Sequence, residues 1–321
     1  MTPTKVNPTG SKLSKSPVSG RRGALRLLQH ALEVTAFRLS MGLMRLLPLD
    51  AASALGGFLG RTLGPYSSAS ERAARNLRLV FPDMPDSERR RITRAVWDNL
   101  GRLGAEYPHL AEITDPRSGR LELRNSGPVT NHVKSGRPAI VVSGHFANFE
   151  AMHVRGAREL VRTATVVRDP NNPMIRDALE HFRKVGGGER VGKGHQGARS
   201  LIAYLERNFC LTMLVDQRMN RGITADFLGH PAQTPTAAAQ LALRFDCPLV
   251  VATMERKRGA HFIMTLSDLI WSEQTADRHQ EIARLVGEIN QRLGTEIRRR
   301  PENWFWLHRR WSEEVYAQAG L

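Results

Sequence analysis

The stretch Ala139-Ile-Val-Val-Ser-Gly144-His145-Phe-Ala-Asn-Phe-Glu150 decides how this chain is read. A short apolar run rich in β-branched residues, broken at Gly144, predicts a buried strand that runs into a turn. Asn148 then opens a helix that reaches to about Val161. In α/β folds built from such units, reacting groups gather at the carboxyl ends of the strands, where helix N-termini point at the ligand. His145 falls at that place. Residues five apart on one continuous helix diverge by about 140°, so His145 and Glu150 can pair only if the histidine sits in the turn and the glutamate in the first helical turns. Such a pair suits a general base and its orienter, with Glu150 holding one imidazole nitrogen while the other takes a proton. The alternative reading is a histidine that only caps the helix.

The same alternation continues outward. Thr163 to Val167 and Cys210 to Val215 read as strands, and Pro173 to Lys184 as a helix with Asn172 at its N-cap. Gln196 to Arg207 reads as a helix, and Pro235 to Arg244 as another capped by Thr234. Strands at Leu249 to Thr253 and Phe262 to Leu266 follow, then a long helix from Asp277 to about Arg298. Before all of these, Pro85-Asp86 opens a helix that turns Ile92, Val96, Leu100 and Leu103 toward a core. Strands alternating with helices predict an α/β fold, a largely parallel or mixed central sheet with flanking helices. Arg168 and Asp216 leave strands of that sheet and Arg183 lies one helix further on. Two arginines and a carboxylate converging on a His–Glu pair would supply anion binding and charge stabilisation for transfer to a hydroxyl. Taken singly, the arginines also read as fork ion pairs and Asp216 as a turn cap. Gly186-Gly187-Gly188 reads as a helix cap and loop rather than a phosphate cradle.

The 321 residues carry 47 Lys and Arg against 31 Asp and Glu, a net charge of +16, so an anionic partner is expected: nucleic acid, an acidic membrane face, or an acidic carrier or substrate. Hydrophobic residues at 41% exclude a mainly disordered chain and a polytopic membrane protein. Residues 1–22 predict a flexible basic arm. Residues 23–65 hold two apolar runs, the first interrupted by Arg26, Glu33, Arg38 and Arg45 and the second rich in glycine; neither is a clean span of the ~20 apolar residues a bilayer needs. They predict a helical hairpin lying on a membrane or shallowly entering it, against the alternative of an ordinary packed helix pair. Residues 66–321 then form the α/β domain. No apolar segment followed by a cleavage site suggests a secretory leader, and Cys210 and Cys247, lacking metal-site spacing, fit a reducing, cytosol-facing location. No motif for zinc or serine hydrolysis or for a P-loop is present, and a single E-x-x-H step does not make a metal pair, so neither metal nor cofactor is expected.

Near the other end, Pro301-Glu-Asn-Trp-Phe-Trp-Leu-His-Arg-Arg-Trp311 gathers aromatics and arginines that can stack bases, dock on a sheet or sit at a membrane interface. A nucleic-acid-binding protein would use this cluster and the net charge but leaves His145, Glu150 and Asp216 without a task, so no nucleic-acid partner is expected.

Taken in order, several segments resemble the lipid A biosynthesis acyltransferase family, the late lauroyl and myristoyl transferases of Gram-negative inner membranes. They are Gly144-His145-Phe-Ala-Asn-Phe-Glu150 as an H-x₄-(D/E) motif, Arg168-Asp-Pro-Asn-Asn-Pro173, Arg183, Asp216-Gln217 and Trp306-Leu-His-Arg-Arg-Trp311. Weaker likeness lies in Asn76-Leu-Arg-Leu-Val-Phe-Pro82 and Phe227-Leu-Gly-His-Pro-Ala232. Departures are Asp169, where proline is common, and the interrupted hydrophobicity of residues 24–47. The resemblance implies a glycerol-3-phosphate-acyltransferase-like fold and an O-acyltransferase moving an acyl chain from an acyl carrier protein thioester to a hydroxyl of a phosphorylated lipid A precursor. Another glycolipid or a lysophospholipid is the alternative acceptor. It further implies His145 as general base with Glu150 as partner, Arg168, Arg183 and Asp216 as substrate-binding positions, and work at the cytoplasmic face of the inner membrane.

Overall fold

A computed structural model describes residues 18–160, 162–167, 172–192, 194–273 and 277–321. Five helices come first: α1 (Val18–Leu46), α2 (Leu49–Leu63), α3 (Ser68–Val80), α4 (Asp86–Glu106) and α5 (Leu110–Thr114). Then come β1 (Leu121–Arg124), α6 (Gly127–Lys134), β2 (Ala139–Ser143), α7 (Phe149–Glu159), β3 (Thr163–Val167), α8 (Pro173–Arg183), β4 (Glu189–Gly192), α9 (His195–Glu206) and β5 (Cys210–Leu214). The remainder is β6 (Ile223–Phe227), β7 (His230–Thr234), α10 (Ala237–Phe245), β8 (Leu249–Arg258), β9 (His261–Leu266), α11 (Arg278–Arg299) and α12 (Glu313–Gln318).

Seven strands make one sheet in the order β1-β9-β8-β2-β5-β3-β4. All neighbours are parallel except β8 and β9, so β1 and β9 run against the other five. The central strand β2 is buried along its whole length, as expected of a parallel strand covered on both faces, and this is why it reads as a continuous apolar run. Helices lie on both sides, giving the mixed α/β architecture that the alternation predicts. A separate hairpin, β6 with β7, turns at Leu228-Gly229, both at positive φ (60° and 89°), the backbone a two-residue hairpin loop needs.

The N-terminal helices differ in part from the expected hairpin. Helix α1 begins at Val18, inside the stretch read as an arm; residues 1–17 lie outside the described residues. It packs chiefly on α8 and on the Tyr107–His109 turn, and meets α2 where Met44 lies against Ala52. Helix α2 uses its glycines against α4: a Cβ added at Gly56 would collide with the Gly101 carbonyl, and one at Gly60 with the Trp97 carbonyl, so the two backbones touch. Both helices leave a row of large apolar side chains in the open, including Leu39, Leu43, Leu46, Phe58 and Leu63. Among the described residues, no helix is long and apolar enough to cross a membrane.

Of the three uses open to the C-terminal aromatic segment, the structure selects docking into the core. Trp304, Trp306 and Trp311 are fully buried. Arg310, equally buried, lies 4.3 Å over the Phe227 ring and donates to the Thr234 hydroxyl at 2.7 Å.

Candidate active site

Strand register builds the site. Ser143 of β2 pairs with Leu214 of β5, and the Val215 N–H continues the ladder onto the Ser143 carbonyl at 2.9 Å. Two residues beyond that pair on adjacent parallel strands lie His145 and Asp216, side by side. Asp216 Oδ1 sits 2.8 Å from His145 Nδ1, and Oδ2 accepts the His145 backbone N–H and the Trp304 indole N–H, each at 2.8 Å. The carboxylate has no exposed surface. Burial alone would raise its pKa; the neighbouring His145 imidazole and the hydrogen bonds donated by His145 override that and hold the group well below the ordinary carboxylate range. An ionised carboxylate only accepts, so the imidazole carries its proton on Nδ1 and leaves Nε2 with a lone pair. Gly144 permits the approach, since a Cβ there would lie 3.1 Å from Asp216 Oδ2.

The turn carrying His145 is braced from outside. Ala147 sits at φ 41°, uncommon for a residue with a side chain, and its N–H donates to the Asn303 carbonyl at 2.7 Å. The Phe305 N–H donates to the His145 carbonyl at 3.1 Å and the Asn99 amide to the Ala147 carbonyl at 3.2 Å. Asn148 caps α7 by accepting the Ala151 N–H at 2.9 Å, and donates to Glu106, itself fully buried and paired with Arg256. The Phe149 ring stands edge-on to the imidazole at 4.9 Å.

Glu150 takes a different partner from the one expected. Its carboxylate is gripped in a fork by Arg183, with Nε on Oε2 at 2.8 Å, and the same guanidinium donates to the Tyr107 hydroxyl at 3.3 Å. No hydrogen bond joins Glu150 to His145 among the described residues. Glu150 is the second residue of α7 and its helical direction carries it toward α8, whereas the strand register brings Asp216 to the imidazole. Burial opposes ionisation of Glu150, but the Arg183 fork keeps its pKa below the usual value. Asp216, expected to bind substrate, is instead sealed beneath His145. Arg183 is committed to Glu150 and Glu180. Arg168 lies outside the described residues. The sequence reading missed Trp304, Glu106 and the Asn303–Phe305 brace.

His145 opens onto a cavity of about 560 Å³, within the ~300–1,000 Å³ of ordinary ligand sites. Val166, Leu201, Leu214 and Ala238 give it apolar walls, while Gln217 and Arg218 add polar groups to the lining. The Gln217 amide reaches to 3.4 Å from His145 Nε2. Among the described residues, no three His, Cys, Asp or Glu side chains are placed to hold a metal ion.

A buried His–carboxylate pair at the carboxyl ends of parallel strands, facing an apolar cavity, is machinery for acyl transfer, and the chain is an acyltransferase. It belongs to the bacterial lipid A biosynthesis acyltransferase family, whose model matches residues 22–313. That membership implies an acyl donor and a lipid acceptor. Among curated proteins, none matches the chain.

Proposed function

We propose that this protein moves a fatty acyl chain from an acyl carrier protein thioester to a hydroxyl of a phosphorylated lipid A precursor at the cytoplasmic face of the inner membrane. The observation that carries the reading is His145 Nε2 facing an apolar cavity while Nδ1 is tied to a buried carboxylate. The acceptor hydroxyl adds to the thioester carbonyl as its proton passes to Nε2, and Asp216 stabilises the imidazolium that results. The tetrahedral oxyanion lies within reach of the Gln217 amide, a donor on the same wall. Collapse breaks the C–S bond, the leaving thiolate takes the proton back from the imidazolium, and an ester and a free thiol result. No covalent acyl-enzyme is needed. In this scheme Glu150 and Arg183 are positioning residues that shape the wall beside the base.

The charge of +16 supports two anionic partners, the acidic carrier and a phosphorylated membrane face. The exposed leucines of α1 and Phe58 of α2, interspersed with Arg38, Arg45 and Arg61, support attachment by apolar area and charge together. The test is mass spectrometry of a reaction holding purified full chain, acyl carrier thioester and lipid A precursor in detergent micelles. The expected product is the precursor heavier by one acyl chain. A lysophospholipid or other glycolipid acylated in its place would overturn the acceptor, and free acyl-coenzyme A used in preference to the carrier would overturn the donor.

A further inference from the structure

Two spaces meet inside this molecule. Besides the main cavity, a void of about 30 Å³ lies beneath α7, against α6 and the sheet. The two share His153 and Met213 in their linings. The void is walled by Val129, Val141, Met152, Leu160 and Leu266. Three of the polar side chains that reach it are engaged elsewhere. Ser143 Oγ donates to the Ala252 carbonyl, Thr212 Oγ1 to Thr165 Oγ1, and Glu159 pairs with Arg155. Thr130 Oγ1 is without a partner. The rest of the lining is mainly aliphatic and methionine side chains, so the space suits carbon better than water.

A second observation comes from the helix above. Gly156 is buried in the interior of α7 and also lines the void. A Cβ added there meets nothing within 4 Å, unlike Gly56 or Gly60, where backbone stands in the way. No close approach requires this glycine, and its absent side chain keeps the space open. Met213, the wall between the spaces, is unbranched and polarisable, the side chain that most readily yields to a neighbour of different length.

We infer that Met213 and His153 form the end wall of the channel for the donor's hydrocarbon chain, that the void behind them is a closed extension of it, and that Met213 sets the acyl-chain length. This rests on the acyl-transfer reading above. Met213→Ala removes the three outer atoms of the wall and joins the spaces. Buried hydrocarbon discriminates by about tenfold or more per methylene.

The experiment gives purified full-length wild type and Met213→Ala a mixed series of saturated acyl carrier thioesters of increasing even chain length, with the lipid precursor in micelles, and reads kcat/KM for each length from the products. Met213→Ala is expected to raise the ratio for the next longer chain, two methylenes beyond the wild-type optimum, by about a hundredfold. Gly156→Leu added to it refills the space and returns the optimum to the wild-type length. Met213→Val, a smaller opening, gives a second reading should the alanine variant fail to fold. An unchanged length profile in whichever variant folds, with wild type active, overturns this inference alone. A wild type that uses no thioester overturns it together with the reading it rests on.

Discussion

Replacing Asp216 by asparagine tests the site most sharply, because the substitution keeps shape while removing one acceptor. Asp216 receives three N–H groups: His145 Nδ1–H on Oδ1, and the His145 backbone N–H and the Trp304 indole on Oδ2. Asparagine has one carbonyl oxygen for these two positions. Placed at Oδ2, it keeps two hydrogen bonds and presents its NH₂ to Nδ1. Placed at Oδ1, it keeps one and sets its NH₂ against two donors in a site with no solvent access. Each hydrogen bond is worth about 1 kcal/mol and each buried unmatched donor costs about 1–3 kcal/mol, so the first orientation wins. Nδ1 must then accept, the imidazole proton moves to Nε2, and the nitrogen that faces the cavity can no longer take a proton from the acceptor hydroxyl. A base held in the wrong tautomer loses about 10⁴-fold in turnover, which is about 5 kcal/mol of barrier at ~1.4 kcal/mol per tenfold. The assay is the initial rate of acyl transfer at saturating donor and acceptor, with a thermal melt to show that the fold survives. Asp216→Asn within tenfold of wild type, in a folded protein, would refute the assignment of Asp216 as the group that fixes the base.

Three further outcomes follow from other contacts. Glu150→Gln removes the buried member of the two carboxylates that pair with Arg183, leaving it only the more exposed Glu180, and is expected to destabilise the fold by up to about 3–5 kcal/mol, measured as the free energy of urea unfolding; a loss below 1 kcal/mol, the scale of a surface pair, would show that the pair is not structural. Gly56→Val forces α2 off α4, where the Gly101 carbonyl leaves no room for Cβ, and should cost roughly 1–3 kcal/mol on the same assay, whereas Gly104→Ala, whose Cβ would meet nothing within 4 Å, should be neutral or better. Burial pushes the imidazoles of His153 and His308 down to about 4, while in the unfolded chain they titrate near ~6.5. The unfolded state therefore binds more protons between those values, and stability falls as pH drops through that window by up to ~1.4 kcal/mol per pH unit for each histidine. Urea melts across the window should show that slope and His308→Gln should flatten it; equal slopes in the two proteins would refute the contribution of His308.

Much of the sheet was legible because buried parallel strands announce themselves. Thr163 to Val167 is β3 to the residue, and the apolar run from Ala139 is β2. The missed strands are those whose sequence carries no such run. Glu189-Arg-Val-Gly lies at the sheet edge with a single buried side chain, and in Leu121-Glu-Leu-Arg only Leu121 is buried. Thr234, read as a helix cap, instead ends β7, and α10 starts after Thr236. In the site, His145 was legible from its own neighbourhood, and its partner was not. The spacing of five to Glu150 is a local signal, whereas the neighbour of His145 is decided by which strand lies beside β2. Once β5 is known to pair with β2, the equal two-residue overhang past Ser143 and Leu214 gives Asp216 directly. Nothing in the aromatic segment distinguishes Trp304, whose indole reaches Asp216, from its neighbours.

The brace on the His145 turn has a consequence for when this enzyme becomes active in the life of its chain. Synthesis runs from the N-terminus, so the ribosome completes the His145 turn more than a hundred and fifty residues before Asn303 and Phe305, which hold its backbone. Asp216 too is made long before Trp304 supplies its third donor. Until that last segment docks, the carboxylate lacks one of its ties and Ala147 has no partner for its N–H at an unfavoured φ. A nascent or prematurely terminated chain therefore carries both members of the His–Asp pair while the backbone brace from Asn303 and Phe305 and the Trp304 donor are still missing.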